Sequence, residues 1–191
     1  MATVAIIGMG LIGGSLGLAL SGRGDWSVVG YSQRRESAEL ALGRGAINRV
    51  ETDLGAAVWG ADMVILATPI MAMKGVMKQM APHLRPGAVV TDTASTKALV
   101  LEWAGECLPA SVSFVGGHPM AGKETWGIEA AEAALFQGAV YCLVPAAGTG
   151  SEAVERVVGL VEQVGARTLF LKAGEHDRLV AGISHLPLLV S

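Results

Sequence analysis

Charge and aromatic rings are both scarce in this sequence. Charged residues make up 16% and aromatic residues 5%. The basic residues are scattered, with no stripe of Lys and Arg of the kind that displaces counterions from a nucleic acid, so no nucleic-acid partner is expected. Long apolar runs are missing too. The longest candidate, Met63 to Met73, holds 11 residues with Pro69 inside it, too short to cross a bilayer, and no membrane partner is expected. No basic stretch precedes the first apolar run and Gly8 cuts that run short, so no secretory leader is read. Cysteine appears only at Cys107 and Cys142, without metal-ligand spacing. Both read as reduced core residues of a cytoplasmic protein.

What remains is apolar and rich in glycine. Apolar residues reach 51% over 191 positions, enough for the core of one ordinary domain and too many for a disordered chain. Glycine supplies 26 residues without a three-residue period, which implies tight turns and close backbone approaches. Net charge is a mild −3.

Short β-branched runs alternate with helical patterns. TVAIIG, SVVGY, ADMVILATP, GAVVTD, VSFVGG, AVYCLVP and RTLFL read as strands. Between them lie helical stretches of about a dozen residues, several closed by glycine. In the helix after the third strand, Met71, Met73, Met77 and Met80 read as one packing face. The pattern predicts an α/β fold, a Rossmann-type doubly wound, mostly parallel sheet with right-handed crossovers. Residues 1–172 form this dinucleotide-binding unit. From about Gly174 a new helical pattern begins and is still running at Ser191, as expected where 173–191 opens a further helical domain.

GMGLIGG places Gly8, Gly10 and Gly13 in the G-x-G-x-x-G spacing, directly after a strand and before a helix. Gly8 permits the tight turn, Gly10 lets the backbone approach a pyrophosphate, and Gly13 lets the helix pack on the sheet. The phosphates then meet the free amides of Leu11 and Ile12 at the helix start. An acid that binds the ribose 2′-hydroxyl is expected about 20 residues on. Ser32 stands there instead, 19 residues after Gly13 and followed by Gln33, Arg34 and Arg35. A serine hydroxyl and an arginine suit a 2′-phosphate, so the cofactor expected is NADP, with NAD the alternative. Thr68 and Pro69 follow the third strand at its cofactor edge, towards the nicotinamide ribose.

Three polar stretches lie downstream. TDTASTK follows a strand and should sit at the carboxyl edge of the sheet, where open α/β folds bind ligands. GGHPMAG sets His118 between glycines and a proline, in what reads as a rigid, exposed turn. HDRLVAGISHLP carries His176 and His185, nine residues apart, about 900° of helical rotation, so they face opposite sides and no zinc site is read.

In this order, GMGLIGGSL, DTASTK, GGHPMAGKETWGIEAAEAALF and HDRLVAGISHLP resemble the prephenate/arogenate dehydrogenase family of tyrosine biosynthesis. The resemblance runs from Val4 to the last residue. GGHPMAG and SHLP are specific to that family, whereas the glycine turn is shared by many dehydrogenases. It implies an enzyme that oxidatively decarboxylates prephenate or arogenate with NAD(P), and a homodimer built through a C-terminal helical domain. It makes His118 the catalytic histidine that takes the 4-hydroxyl proton, Ser95 the serine that orients it, and His185 a second histidine lining the substrate pocket. Lys97 is read as neutralising a substrate carboxylate or a cofactor phosphate, or as pointing to solvent. His176 and Asp177 match the family pattern as well, or serve only as capping and dipole chemistry at a helix start. Ser32 departs from the acid of NAD-using members. Two other readings stay open: a dehydrogenase of the β-hydroxyacid type, whose members rely on a lysine base, and a nucleotide-sensing module without catalysis.

Overall fold

The computed structural model describes residues 1–22 and 25–182. Along the chain come β1 (Ala2–Ile7), α1 (Leu11–Ser21), β2 (Trp26–Tyr31), α2 (Arg35–Gly43), β3 (Arg49–Glu51), α3 (Leu54–Val58), β4 (Met63–Leu66) and α4 (Ile70–Met80). They are followed by β5 (Val89–Asp92), α5 (Ala98–Cys107), β6 (Ser113–Pro119), β7 (Val140–Pro145), α6 (Ser151–Gln163), β8 (Arg167–Phe170) and α7 (Ala173–Val180). One eight-stranded sheet takes the order β3-β2-β1-β4-β5-β6-β7-β8. All neighbours are parallel except β6 and β7, where His118 lies opposite Cys142.

That reversal follows from the connection. Parallel neighbours need a crossover that returns the chain to the far edge, usually a helix of a dozen residues. Between β6 and β7 the sequence offers only one short 3-10 turn, Ile128–Ala130. The chain therefore leaves and re-enters the sheet at the same edge. It keeps residues 120–139 at the end where β1, β4, β5 and β6 finish.

Both faces of the sheet are covered, which is why its strands read as continuous β-branched runs. On one face Leu16 and Leu20 of α1 pack with Ala38 and Ala41 of α2 and with Val157 and Leu160 of α6. On the other, Met73, Met77 and Met80 of α4 pack with Val100 and Ala104 of α5. Met71 is not part of that face. It is 85% exposed, because a step of two residues turns about 200° around a helix. Two short elements, β3 and α3, carried no periodic signal. The start of α3 is marked only by Asp53, whose carboxylate accepts from the Ala56 amide at 2.8 Å. Cys107 and Cys142 are both free thiols, the first half-buried and the second buried. Among the described residues no helix is long and apolar enough to cross a membrane.

Candidate active site and dinucleotide cleft

The register aligns Ile7, Leu66 and Asp92 across β1, β4 and β5, so the residues that follow them share one edge. At the β1 tip Gly8 has φ +109°, and a Cβ there would lie 2.4 Å from the Ala67 carbonyl oxygen. A Cβ on Gly13 would lie 1.9 Å from the Gly8 carbonyl oxygen. Both glycines are therefore demanded by the fold itself. Gly10 is different. A Cβ there would meet no protein atom within 4 Å, so packing does not demand a glycine at this position. It caps α1 without a side-chain hydrogen bond, which leaves the first amides of the helix, those of Leu11 and Ile12 included, to an external acceptor.

A cleft of about 690 Å³ opens beside this turn, walled among others by Gly8, Gly10, Ser32, Arg34, Thr68 and Pro69. The Thr68 hydroxyl is buried and has no hydrogen-bond partner. An orphaned donor, a bare glycine surface and an uncapped helix start together fit a dinucleotide's phosphates and ribose. Leu11 and Ile12 open α1 behind the turn and do not form the cleft wall. Arg35 also falls outside it: it borders a smaller hollow with Ser32, and its Nε donates to Glu39 Oε1 at 2.7 Å. The acid beside the β2 tip, Glu51 of β3, lies 3.2 Å from Arg49 in an ion pair.

The cleft also has a wall that the sequence did not announce. Trp126, Gly127, Ile128 and Glu129 reach it from the β6–β7 connection. Arg44 anchors this segment, donating to the carbonyls of Ile128, Glu129 and Ala131 at 2.5, 2.6 and 2.8 Å. Gly127 has φ +89°, and the Trp126 indole is 83% exposed.

Further along the edge stands His118. It lies in β6, paired with β7, and is half-buried rather than raised on an exposed turn. Its Nδ1 is 2.9 Å from Nε2 of His176, which α7 brings in fully buried. The rings meet edge to face at 68°. His176 Nδ1 in turn lies 2.8 Å from Asp177 Oδ1. Asp177 does act as a cap, but for another helix: its carboxylate accepts from the Lys97 amide at 2.7 Å, the Ala98 amide at 3.0 Å and the Thr96 hydroxyl at 3.1 Å. The two amides belong to the N-cap and the first residue of α5. Burial pushes the Asp177 carboxyl up, but the hydrogen bonds from His176, Ala98, Lys97 and Thr96 outweigh it and hold the group below the usual carboxylate range.

Lys97 does not reach outward to a ligand or to solvent. Its side chain is wholly buried and ion-paired with Asp92, and its ammonium group also donates to the Gly117 carbonyl at 2.6 Å. Burial lowers the lysine's pKa against the pull of Asp92. Asp92 is completed by the amides of Gly117 at 3.0 Å and Ala94 at 2.9 Å. The glycine pair before His118 makes room for this. A Cβ on Gly116 would press on Lys97 Cδ at 3.2 Å, and one on Gly117 on the Asp92 carbonyl oxygen at 2.5 Å. Ser95 sits exposed on the turn between β5 and α5; the group within hydrogen-bond distance of His118 Nδ1 is His176 Nε2. His185 lies outside the described residues.

Burial, His176 and Lys97 push the His118 imidazole down from 6.5 to about 4, with Asp177 pulling the other way. The ring is neutral at physiological pH and can accept a proton. The unfolded chain binds a proton near pH 6.5 that the fold refuses. The stability of the neutral ring is therefore complete above that pH and is lost as the pH falls towards about 4. Urea midpoints measured across this range should fall less steeply for His118→Gln than for the unaltered protein. Equal slopes would contradict the assignment.

A doubly wound sheet, a glycine turn facing an open cleft and a neutral histidine at the same edge define a dehydrogenase-type nucleotide-binding domain. Residues 16–170 match the family described as "Prephenate dehydrogenase, nucleotide-binding domain", and the chain belongs to that family. It is 35% identical over 191 residues to the prephenate dehydrogenase of Bacillus subtilis, covering 99% of this chain and 52% of that protein. Among solved structures it resembles arogenate dehydrogenase from Synechocystis, with a TM-score of 0.91 and 34% identity over 98% of this chain and 66% of the other. It also resembles prephenate dehydrogenase from A. aeolicus in complex with hydroxyphenyl propionate and NAD+, with a TM-score of 0.91 and 30% identity over 100% and 66%. The chain thus spans about half the length of the curated relative from Bacillus.

Proposed function

We propose that this domain belongs to an NADP-preferring dehydrogenase that oxidatively decarboxylates prephenate or arogenate. The observation that carries the reading is that His118 and the glycine turn share one sheet edge, three strands apart in the order β1-β4-β5-β6, roughly 14 Å at ordinary strand spacing. An extended dinucleotide with its phosphates at Gly10 covers that span. When bound, the cofactor supplies the hydride acceptor.

The chain's own residues do the rest. His118, neutral and held from behind, takes the proton of the ring 4-hydroxyl as the carbon beneath it is oxidised, and loss of CO2 then leaves an aromatic ring. Ser95, exposed beside the turn into α5, is assigned to bond the same hydroxyl. His185 is assigned to the substrate pocket. Lys97 acts from within, neutralising Asp92 and shaping the backbone under His118. The same burial speaks against a β-hydroxyacid type of enzyme, which needs its lysine facing the substrate.

For the cofactor, Ser32 and Arg34 face the cleft and supply a hydroxyl and a guanidinium to a 2′-phosphate. Arg34 carries this argument, because Glu39 engages Arg35. Steady-state kinetics of the full-length protein on prephenate and arogenate, each with NAD and NADP, test the reading. Arg34→Ala should raise KM for NADP about 10- to 100-fold, the worth of one charge-assisted hydrogen bond, and move NAD little. A clear preference of the unaltered protein for NAD would overturn the cofactor assignment, and inactivity on both substrates the reaction.

A further inference from the structure

Two rings and a carboxylate stand in line behind the edge, and the chemistry of each contact restricts the next. Asp177 Oδ1 accepts from the Lys97 amide and Oδ2 from the Ala98 amide. A backbone N–H can only donate, so both oxygens of Asp177 act as acceptors; with the Thr96 hydroxyl as a further donor and the group held below the usual carboxylate range, it is taken as a carboxylate. The His176 nitrogen facing Oδ1 at 2.8 Å must then carry a hydrogen. A neutral His176 protonated at Nδ1 has a bare Nε2. That bare nitrogen lies 2.9 Å from His118 Nδ1, which must therefore be the donor. The hydrogen of His118 is accounted for at Nδ1, and Nε2 is left with an unshared pair.

We infer that His176 is a positioning residue, oriented by Asp177, which fixes His118 as the Nδ1–H tautomer and so presents Nε2 as the base. The inference rests on the proposed reaction for its purpose, but not for its geometry. Three further observations favour it. His176 is wholly buried, so water does not compete for its Nε2. Asp177 is tied to the start of α5 by three donors, so the carboxylate cannot swing away without uncapping that helix. The strand register holds His118 between Gly117 and Pro119 against β7, so its ring has a fixed root. When Nε2 of His118 takes a proton, the hydrogen on Nδ1 can pass to Nε2 of His176. The pair then holds the one proton taken from the substrate, and the transfer only moves its positive charge next to the Asp177 carboxylate.

The tautomer can be read directly. In protein labelled with 15N-histidine, long-range 1H–15N spectra at neutral pH should give His118 a pyrrole-type Nδ1 and a pyridine-type Nε2. The signal is assigned by its loss in His118→Gln. His176→Phe keeps a ring of similar size without the acceptor. It should release His118 towards the opposite tautomer and lower kcat of the full-length protein about 10²- to 10³-fold, within the range of one general-base contribution, with KM for the cofactor nearly unchanged. His176→Gln, whose carbonyl oxygen can accept from Nδ1–H, should recover at least about tenfold of that loss. A pyridine-type Nδ1 in the unaltered protein would overturn the inference. So would a spectrum of His118 indifferent to His176→Phe, or a His176→Gln variant no better than His176→Phe. The spectrum does not depend on turnover, so a wrong tautomer leaves the proposed reaction standing, and inactivity on both substrates leaves the tautomer standing.

Discussion

On the proposed reading, replacing His118 by asparagine is expected to lower kcat of the full-length protein by about 10²- to 10⁴-fold, the usual contribution of a positioned base. Binding of the dinucleotide should stay close to normal. The two effects separate because the residues that shape the cleft beside the glycine turn, Gly8, Gly10, Arg34 and Thr68 among them, do not include His118. Asparagine keeps polarity and much of the volume, so the pairing of β6 with β7 should persist. It lacks a nitrogen that can accept and release a proton near neutral pH. Titration of the reduced cofactor by fluorescence reports the first property and single-turnover kinetics the second. Turnover within about tenfold of the unaltered enzyme would remove His118 from the chemistry. Weakened cofactor binding without a change in kcat would place it in the cleft instead.

The second large effect is expected at Lys97. Truncation to alanine strands the Asp92 carboxylate, 0% exposed, with only the Gly117 and Ala94 amides as partners. Breaking a buried ion pair from one side costs about 3–5 kcal/mol, a large share of the roughly 5–15 kcal/mol that holds a domain folded. Removing both charges is a different operation. The double variant Asp92→Asn, Lys97→Met leaves no stranded ion, and similar replacements elsewhere are near neutral. Urea unfolding should therefore rank the double variant well above Lys97→Ala. A single substitution costing less than about 1 kcal/mol would mean that the pair does not organise the turn under His118.

The sequence was most legible where chemistry is local. The β1 run, the glycine spacing and the following helix lie within twenty residues, and each glycine has a steric or ligand reason that its neighbours reveal. Ser32 and Arg34 could be placed by counting from Gly13, because the length of a βα unit varies little. Lys97 misled, since lysine is seldom fully buried, and nothing nearby in the chain shows that Asp92 and a glycine carbonyl enclose it. Met71 misled for a geometric reason, standing two residues from Met73 on a helix that buries one side. The antiparallel β7 came from what the 120–139 segment lacks, a crossover helix, and Trp126 joined the cleft wall through that same detour. His176 and Asp177 were visible as a pair, but their partners lie 58 and about 80 residues away. No periodicity or motif spacing records a helix being capped by a side chain from another one.

The cap that α7 places on α5 also sets the order in which the molecule becomes competent. Every strand of the sheet is in place by Phe170, so a nascent chain halted there already possesses its whole β-layer and its glycine loop. Its imidazole at position 118 would have no fixed protonation pattern until the next two helical turns arrive and lock. On the proposed reading, nucleotide affinity would mature before proton abstraction does, and the final winding of α7 would be the step that arms the domain.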